Sequence, residues 1–187
     1  MTGQLTIGSN FDGTQRGAVL SECETYRYRL WRINRERGTG AALFVGCNPS
    51  TADAIEDDHT IRKLRGFTSR WGLAGFEILN VCAYRSRAPK ALLGVADPVG
   101  PDNATHIKRA ILDACCSVDP LVIVMWGEAL PKPLRHHAAT LVATLRGAGA
   151  HPMCFGLTGS GQPMHPLTLA YDAPLVPFAG NREWGQS

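Results

Sequence analysis

The sequence predicts an α/β protein: a central, mostly parallel four-stranded sheet, helices on both faces, and an antiparallel edge strand ahead of it. Three observations predict it. Four apolar runs (residues 41–47, 76–82, 121–126 and 152–157) have the length of strands and little polar alternation, as strands covered on both faces do. Segments with helical spacing separate the first three runs from their successors, and strands alternating with helices imply parallel pairing. No repeat, linker or low-complexity stretch divides the 187 residues, so the chain is read as a single three-layer α/β/α domain, residues 1–187, with flexible ends at 1–20 and 179–187.

The elements follow in order. Residues 1–20 are Gly-rich and polar, a flexible start or an edge strand. Tyr26-Arg27-Tyr28-Arg29-Leu30-Trp31-Arg32 alternates apolar and basic residues, the period of a strand with one wet face, which would place Arg27 and Arg29 in solvent. Gly38-Thr39-Gly40 then turns into the run 41–47, so a hairpin between these two strands is expected. Ile61, Leu64, Phe67 or Thr68, and Trp71 share one face of a helix. Arg62, Lys63, Arg65 and Arg70 share the other, Asp57 and Asp58 precede it, and Gly72 closes it. Asp102 or Asn103 can cap a second helix reaching about Cys116, with Ile107 and Ile111 inward. A third helix runs to about Leu145, with Leu134, Ala138, Leu141 and Val142 on its apolar face. Pro174 to Phe178 reads as a short edge segment.

Composition narrows the function classes. With 44% hydrophobic and 19% charged residues the chain is globular rather than disordered. No run of 18 apolar residues and no signal-peptide pattern is present, so a cytoplasmic protein without a membrane partner is expected. Six cysteines include no Cys-x-x-Cys pair, and six histidines include no His-Glu-x-x-His pattern. Cys47, Cys82, Cys115 and Cys154 are expected to be buried thiols, and no metal or cofactor is called for. A net charge of +3 permits nucleic-acid binding without demanding it.

Polar loops follow all four apolar runs: Asn48-Pro49-Ser50-Thr51, Asn80 with Tyr84-Arg85, Gly127-Glu128, and Ser160 to His165. In a parallel sheet these loops meet at one edge, where open α/β sheets bind ligands. Asn80 is an amide at the end of an apolar strand and needs hydrogen-bond partners, from the sheet or from a ligand. Amides read the planar donor–acceptor edge of a nucleobase. An imidazole can stabilise charge on a leaving group. The Gly159-x-Gly161 pair lacks the remaining residues of a phosphate loop.

The ordered set Gly46-Cys47-Asn48-Pro49-Ser50, Leu79-Asn80-Val81, Val122-Ile123-Val124-Met125-Trp126-Gly127 and Met164-His165-Pro166-Leu167 resembles the uracil-DNA glycosylase superfamily. The whole chain, through Asn-Pro-Ser-Thr-Ala-Asp and Gly-Gln-Pro-x-His-Pro-Leu, also resembles a bacterial and phage family of unknown function. The first resemblance implies a uracil-DNA glycosylase-like fold and three roles. Asn48 would place the hydrolytic water, Asn80 would bond the base edge, and His165 would stabilise the departing base. Two departures point away from duplex DNA alone. Leu167-Thr168-Leu169 lacks the basic residue expected for minor-groove insertion, and the loop 53–60 is acidic where an aromatic wall is expected.

The expected function is therefore hydrolysis of an N-glycosidic bond to a nucleobase, in DNA or in a free nucleotide, with an unusual or modified base as a further option. Asn48, Asp53, Asp58 and His165 are the expected catalytic groups. Pro49, Ser50, Thr51, Asn80, Tyr84, Arg85, Ser160 and Gln162 are expected around the substrate. A base-modifying transferase reusing the pocket and a non-catalytic nucleotide- or nucleic-acid-binding module are the alternatives.

Overall fold

Residues 4–21 form neither a flexible start nor a single edge strand; they make a two-stranded hairpin. Its strands are β1 (Gln4–Phe11) and β2 (Thr14–Ser21), joined by Asp12 and Gly13, both at positive φ. The computed structural model describes residues 4–50, 57–115 and 120–180, with the side chain of Cys115 excepted. The other strands are β3 (Arg27–Ile33), β4 (Ala41–Gly46), β5 (Gly75–Asn80), β6 (Val122–Val124), β7 (Met153–Cys154) and β8 (Val176–Pro177). The helices are α1 (His59–Arg70), α2 (Asn103–Cys115) and α3 (Arg135–Gly147).

The fold is α/β with one mixed sheet, in the order β1-β2-β3-β5-β4-β6-β7-β8. Pairing is parallel from β5 through β4 and β6 to β7, and antiparallel at both ends. Among the described residues eight strands thus stand where a four-stranded sheet with one edge strand was expected.

The expected hairpin between β3 and β4 does not form. β3 pairs antiparallel with β5 instead, and β4 lies on the far side of β5. Gly75 makes that neighbour possible. Its φ is +152°, and a Cβ there would sit 1.9 Å from the carbonyl oxygen of Arg32. Only a residue without a side chain allows the two backbones so close. The run 152–157 yields a strand of just two residues. Pro152 has no N–H to give a ladder, and Gly156 at positive φ turns the chain into the loop that follows.

Apolar side chains cover both faces. Leu43, Val45, Val122 and Val124 meet Ile107 and Ile111 of α2 and Leu141 and Leu145 of α3. Ala42, Phe44, Phe76, Ile78 and Ile123 meet Ile61, Leu64 and Phe67 of α1. Each large apolar side chain buried this way contributes roughly 1.5–3 kcal/mol. Cys47, Cys82 and Cys154 lie in the core as reduced thiols, while Cys23 is exposed. Burial pushes the Cys82 thiol up to about 12. Cys116 and the tail 181–187 lie outside the described residues. Among the described residues no helix is long and apolar enough to cross a membrane.

Candidate functional site

A cavity of about 150 Å³ opens where β4, β5 and β6 end, beneath the start of α1. Asn80 forms its floor. It stands opposite Gly46 in the β4–β5 register, and its Oδ1 lies where a Gly46 Cβ would come within 2.8 Å. The residue is 2% exposed, and its Nδ2 has no hydrogen-bond partner among the described residues. A buried donor left unpaired costs roughly 1–3 kcal/mol. A ligand acceptor would remove that cost.

Asn48 lines the same cavity but is partly spent on architecture. Its Nδ2 donates to the carbonyls of Ser86 at 2.8 Å and Pro49 at 3.0 Å. The Cys82 N–H donates to the Cys47 carbonyl at 2.9 Å, and the Ser86 N–H to the Pro49 carbonyl at 2.9 Å. The two loops after β4 and β5 are thus zipped together. The Asn48 carbonyl oxygen receives no donor among the described residues.

Asp58 and His165 close the opposite side. Asp58 is the N-cap of α1: one carboxylate oxygen accepts the Ile61 N–H at 2.8 Å and the other accepts the Ser50 hydroxyl. His165 Nδ1 accepts the Leu167 N–H at 3.3 Å, so the ring proton of the neutral imidazole belongs on Nε2. Burial lowers the His165 pKa, and the Asp58 charge pulls it partly back. The neutral ring therefore offers one N–H donor.

Two charged lining residues were not expected from sequence, Arg27 and Arg87. Arg27 is 3% exposed, not in solvent. A bulge explains it. One step along β2, from Val19 to Leu20, spans two along β3, from Arg29 to Arg27. The strict alternation that would keep Arg27 and Arg29 together is broken. Arg29 goes to the α2 side and pairs with Glu77 and Asp113, while Arg27 reaches the cavity. Arg87 lies two residues beyond the Arg85 that was expected, and no sequence signal separates the two.

The other expected residues stand elsewhere. Arg85 does not line the cavity; its Nη1 donates to the Glu24 carbonyl at 3.0 Å and holds the turn before β3. Tyr84 packs edge-on against Tyr26, with ring centroids 6.0 Å apart. Ser160 donates to Glu128 at 2.6 Å, and its hydroxyl, with that of Thr158, holds the Glu128 carboxyl below its usual range. Gln162, fully buried, accepts the Trp126 indole N–H at 3.0 Å. Ser160 and Gln162 thus brace the loop that delivers His165. Pro49 is buried beneath the lip and supplies its carbonyl to the zipper. Thr51 and Asp53 lie outside the described residues. Asp57 turns away from the cavity to pair with buried Arg32 at 2.8 Å and Arg65 at 3.0 Å. Among the described residues no group of three His, Cys, Asp or Glu side chains could hold a metal ion.

Comparison with known proteins gives a family and nothing finer. No curated protein matches the chain, and no solved structure does. One family model matches residues 27–167, from the first residue of β3 to two residues past His165, a span that holds every cavity residue named above and leaves out the β1–β2 hairpin. The chain belongs to that family, DUF1643, whose members are described as proteins of unknown function.

Proposed function

We propose that the cavity holds a nucleobase and that the protein hydrolyses the N-glycosidic bond joining the base to its sugar. The observation that carries this reading is the pairing of two donors in one small cavity: the buried, unpartnered Nδ2 of Asn80 and the Nε2–H of His165. Both suit the acceptor edge of a flat heterocycle. A cavity near 150 Å³ takes one six-membered ring.

The chemistry follows from the charges. The glycosidic bond breaks with its electron pair going to the base, and the developing anion accepts hydrogen bonds from Asn80 Nδ2 and His165 Nε2. The sugar carbon becomes cationic, and the Asp58 carboxylate supplies the opposing charge. Water adds to that carbon and loses one proton to Asp58 or to solvent, while the base gains one. Sugar and free base are the products. Arg27 and Arg87 give the cavity two guanidinium groups, which suit a phosphate on the sugar and so a nucleotide or a nucleic-acid strand. In this reading the parallel run β5-β4-β6-β7, with α1 against one side and α2 and α3 against the other, is the three-layer arrangement of the uracil-DNA glycosylase superfamily.

One observation favours a second reading, binding without hydrolysis. Asn48 spends its amide nitrogen on two backbone carbonyls, so only its oxygen is left to orient water. A single experiment separates the two. The protein is incubated with a panel of nucleosides, nucleotides and base-modified single- and double-stranded DNA, and free base is followed by chromatography. Release of one base, abolished in His165→Ala, is the expected result. Saturable binding of a base-bearing compound with no release across the panel would replace hydrolysis by the binding reading. Neither binding nor release would overturn both.

A further inference from the structure

We infer that the chain forms a two-fold dimer in which β1 of one copy pairs antiparallel with β1 of a second, joining two sheets into one. β1 is the outermost strand of the sheet, and nothing among the described residues pairs with its outer edge. Its residues are exposed from end to end. Its side chains therefore add nothing to the core, and only the ladder to β2 offsets the entropy lost in ordering it. Strands left open in this way usually carry a charge, a proline or a bulge that discourages pairing. Gln4-Leu5-Thr6-Ile7-Gly8-Ser9-Asn10-Phe11 has neither charge nor proline, and its register with β2 runs unbroken. A second copy meets no like charge on this edge and brings the same open edge to it.

The strand is complementary to itself about Gly8. Phe11 and Thr14 flank the two-residue turn at Asp12 and Gly13, so they exchange both backbone bonds. Ser9, Ile7 and Leu5 face β2 in the same way, which leaves the N–H and C=O of Thr6, Gly8 and Asn10 directed out of the edge. With the two-fold axis at Gly8, Gly8 meets its own copy and Thr6 meets Asn10, so these groups all find partners. The same register sets Leu5 against Phe11 and Ile7 against Ser9, on the face where Ala18 and Leu20 of β2 enter the core. Leu5, Ile7 and Phe11 are 38%, 39% and 60% exposed in the single chain, and pairing takes part of that apolar area out of water. The opposite edge of the sheet is β8, two residues that include Pro177, so association closes at two copies rather than growing. No β1 residue lines the proposed nucleobase cavity, and the dimer stands whether or not that reading does.

Sedimentation equilibrium of the full chain over a wide range of concentration tests this. The parent is expected to be a reversible dimer with no larger species. Ile7→Lys adds a charge to the edge at an exposed position, so it leaves the fold intact and is expected to weaken the dimer at least tenfold. The register is read by cross-linking in a Cys23→Ser background, which removes an exposed native thiol. Ile7→Cys mixed with Ser9→Cys is expected to give a disulfide-linked dimer under mild oxidation. Neither variant alone is expected to do so, because the register brings residue 7 close to residue 9 and to neither its own copy. A parent that stays monomeric at every concentration would overturn the dimer, and species above the dimer would overturn its two-fold closure. Undiminished association in a folded Ile7→Lys would overturn the β1 interface. A mixture that links no better than the single variants would overturn the register.

Discussion

Asn80 and Gly46 stand opposite one another across the parallel ladder of β5 and β4, so close that the amide occupies the space a side chain on Gly46 would need. The glycine is there for the amide. Replacing Gly46 by Ala puts a methyl 2.8 Å from Asn80 Oδ1 and forces the amide to move. The expected outcome is a moderate loss of stability, about 1–3 kcal/mol for overpacking, and at least a tenfold loss in affinity for the base-containing ligand. Urea melts and calorimetric titration measure the two. Unchanged affinity in the variant would mean that the amide does not meet the ligand.

Asn80→Ala separates a ligand group from a structural anchor. The Nδ2 has no partner among the described residues, so truncation removes an unsatisfied donor along with some packing. The melting temperature of the free protein should fall by only a few degrees, while the rise in Tm given by a base-containing ligand should disappear. A Tm that falls steeply with ligand binding intact would make Asn80 part of the scaffold.

His165 predicts a pH dependence whose sign can be worked out. Burial holds its pKa below the unfolded value, which is about 6.5. The unfolded chain therefore takes up the proton first. The contribution of this group to stability is complete above about 6.5 and is lost as pH falls through that value toward the folded pKa. His106 and His137 are lowered by burial in the same way, so the test is a difference. His165→Gln should lose less stability than the parent between pH 7.5 and 5.5, as read by urea unfolding. Equal losses would mean that the ring is as hydrated as in the unfolded chain.

Arg32 of β3 and Asp57, two residues before α1, form an ion pair with side chains 1% and 9% exposed. Burial alone would raise the Asp57 carboxyl; hydrogen bonds from Arg32 and Arg65 hold it below its ordinary range. Its stabilising contribution is thus present above the unfolded pKa of about 3.9 and is lost as pH falls below it. At neutral pH Asp57→Asn should cost about 3–5 kcal/mol, the usual consequence of removing one partner of a buried pair. A loss under about 1 kcal/mol, typical of exposed pairs, would show that the pair is solvated.

Much of this was legible in the residues. Strands covered on both faces write themselves as unbroken apolar runs, and so β4, β5 and β6 stood out. Asn80 was conspicuous for the same reason, an amide where the pattern demands an apolar side chain. What stayed hidden depended on position across the sheet. β3 is an inner strand with a bulge, so its alternation of basic and apolar residues did not mean one wet face, and Arg27 was misplaced. β1 carries exposed residues along its whole length and so lacks the apolar signature of a strand. Tyr84, Arg85 and Ser160 follow the right strands, but a loop's sequence does not say which of its side chains turn back over the strand end.

The place of β5 between β3 and β4 also governs the order in which the chain can assemble. When synthesis has passed β4, β3 has its β2 partner, but its other edge stays open until Gly75–Asn80 arrives. The first four strands made thus belong to two pieces that only the fifth can join. On the ribosome, the amino-terminal meander and the nascent parallel core would wait on one six-residue segment. A chain stalled between Gly46 and Gly75 would present three strand edges still waiting for partners from its own sequence, one on β3 and both on β4, each a template for pairing with another chain.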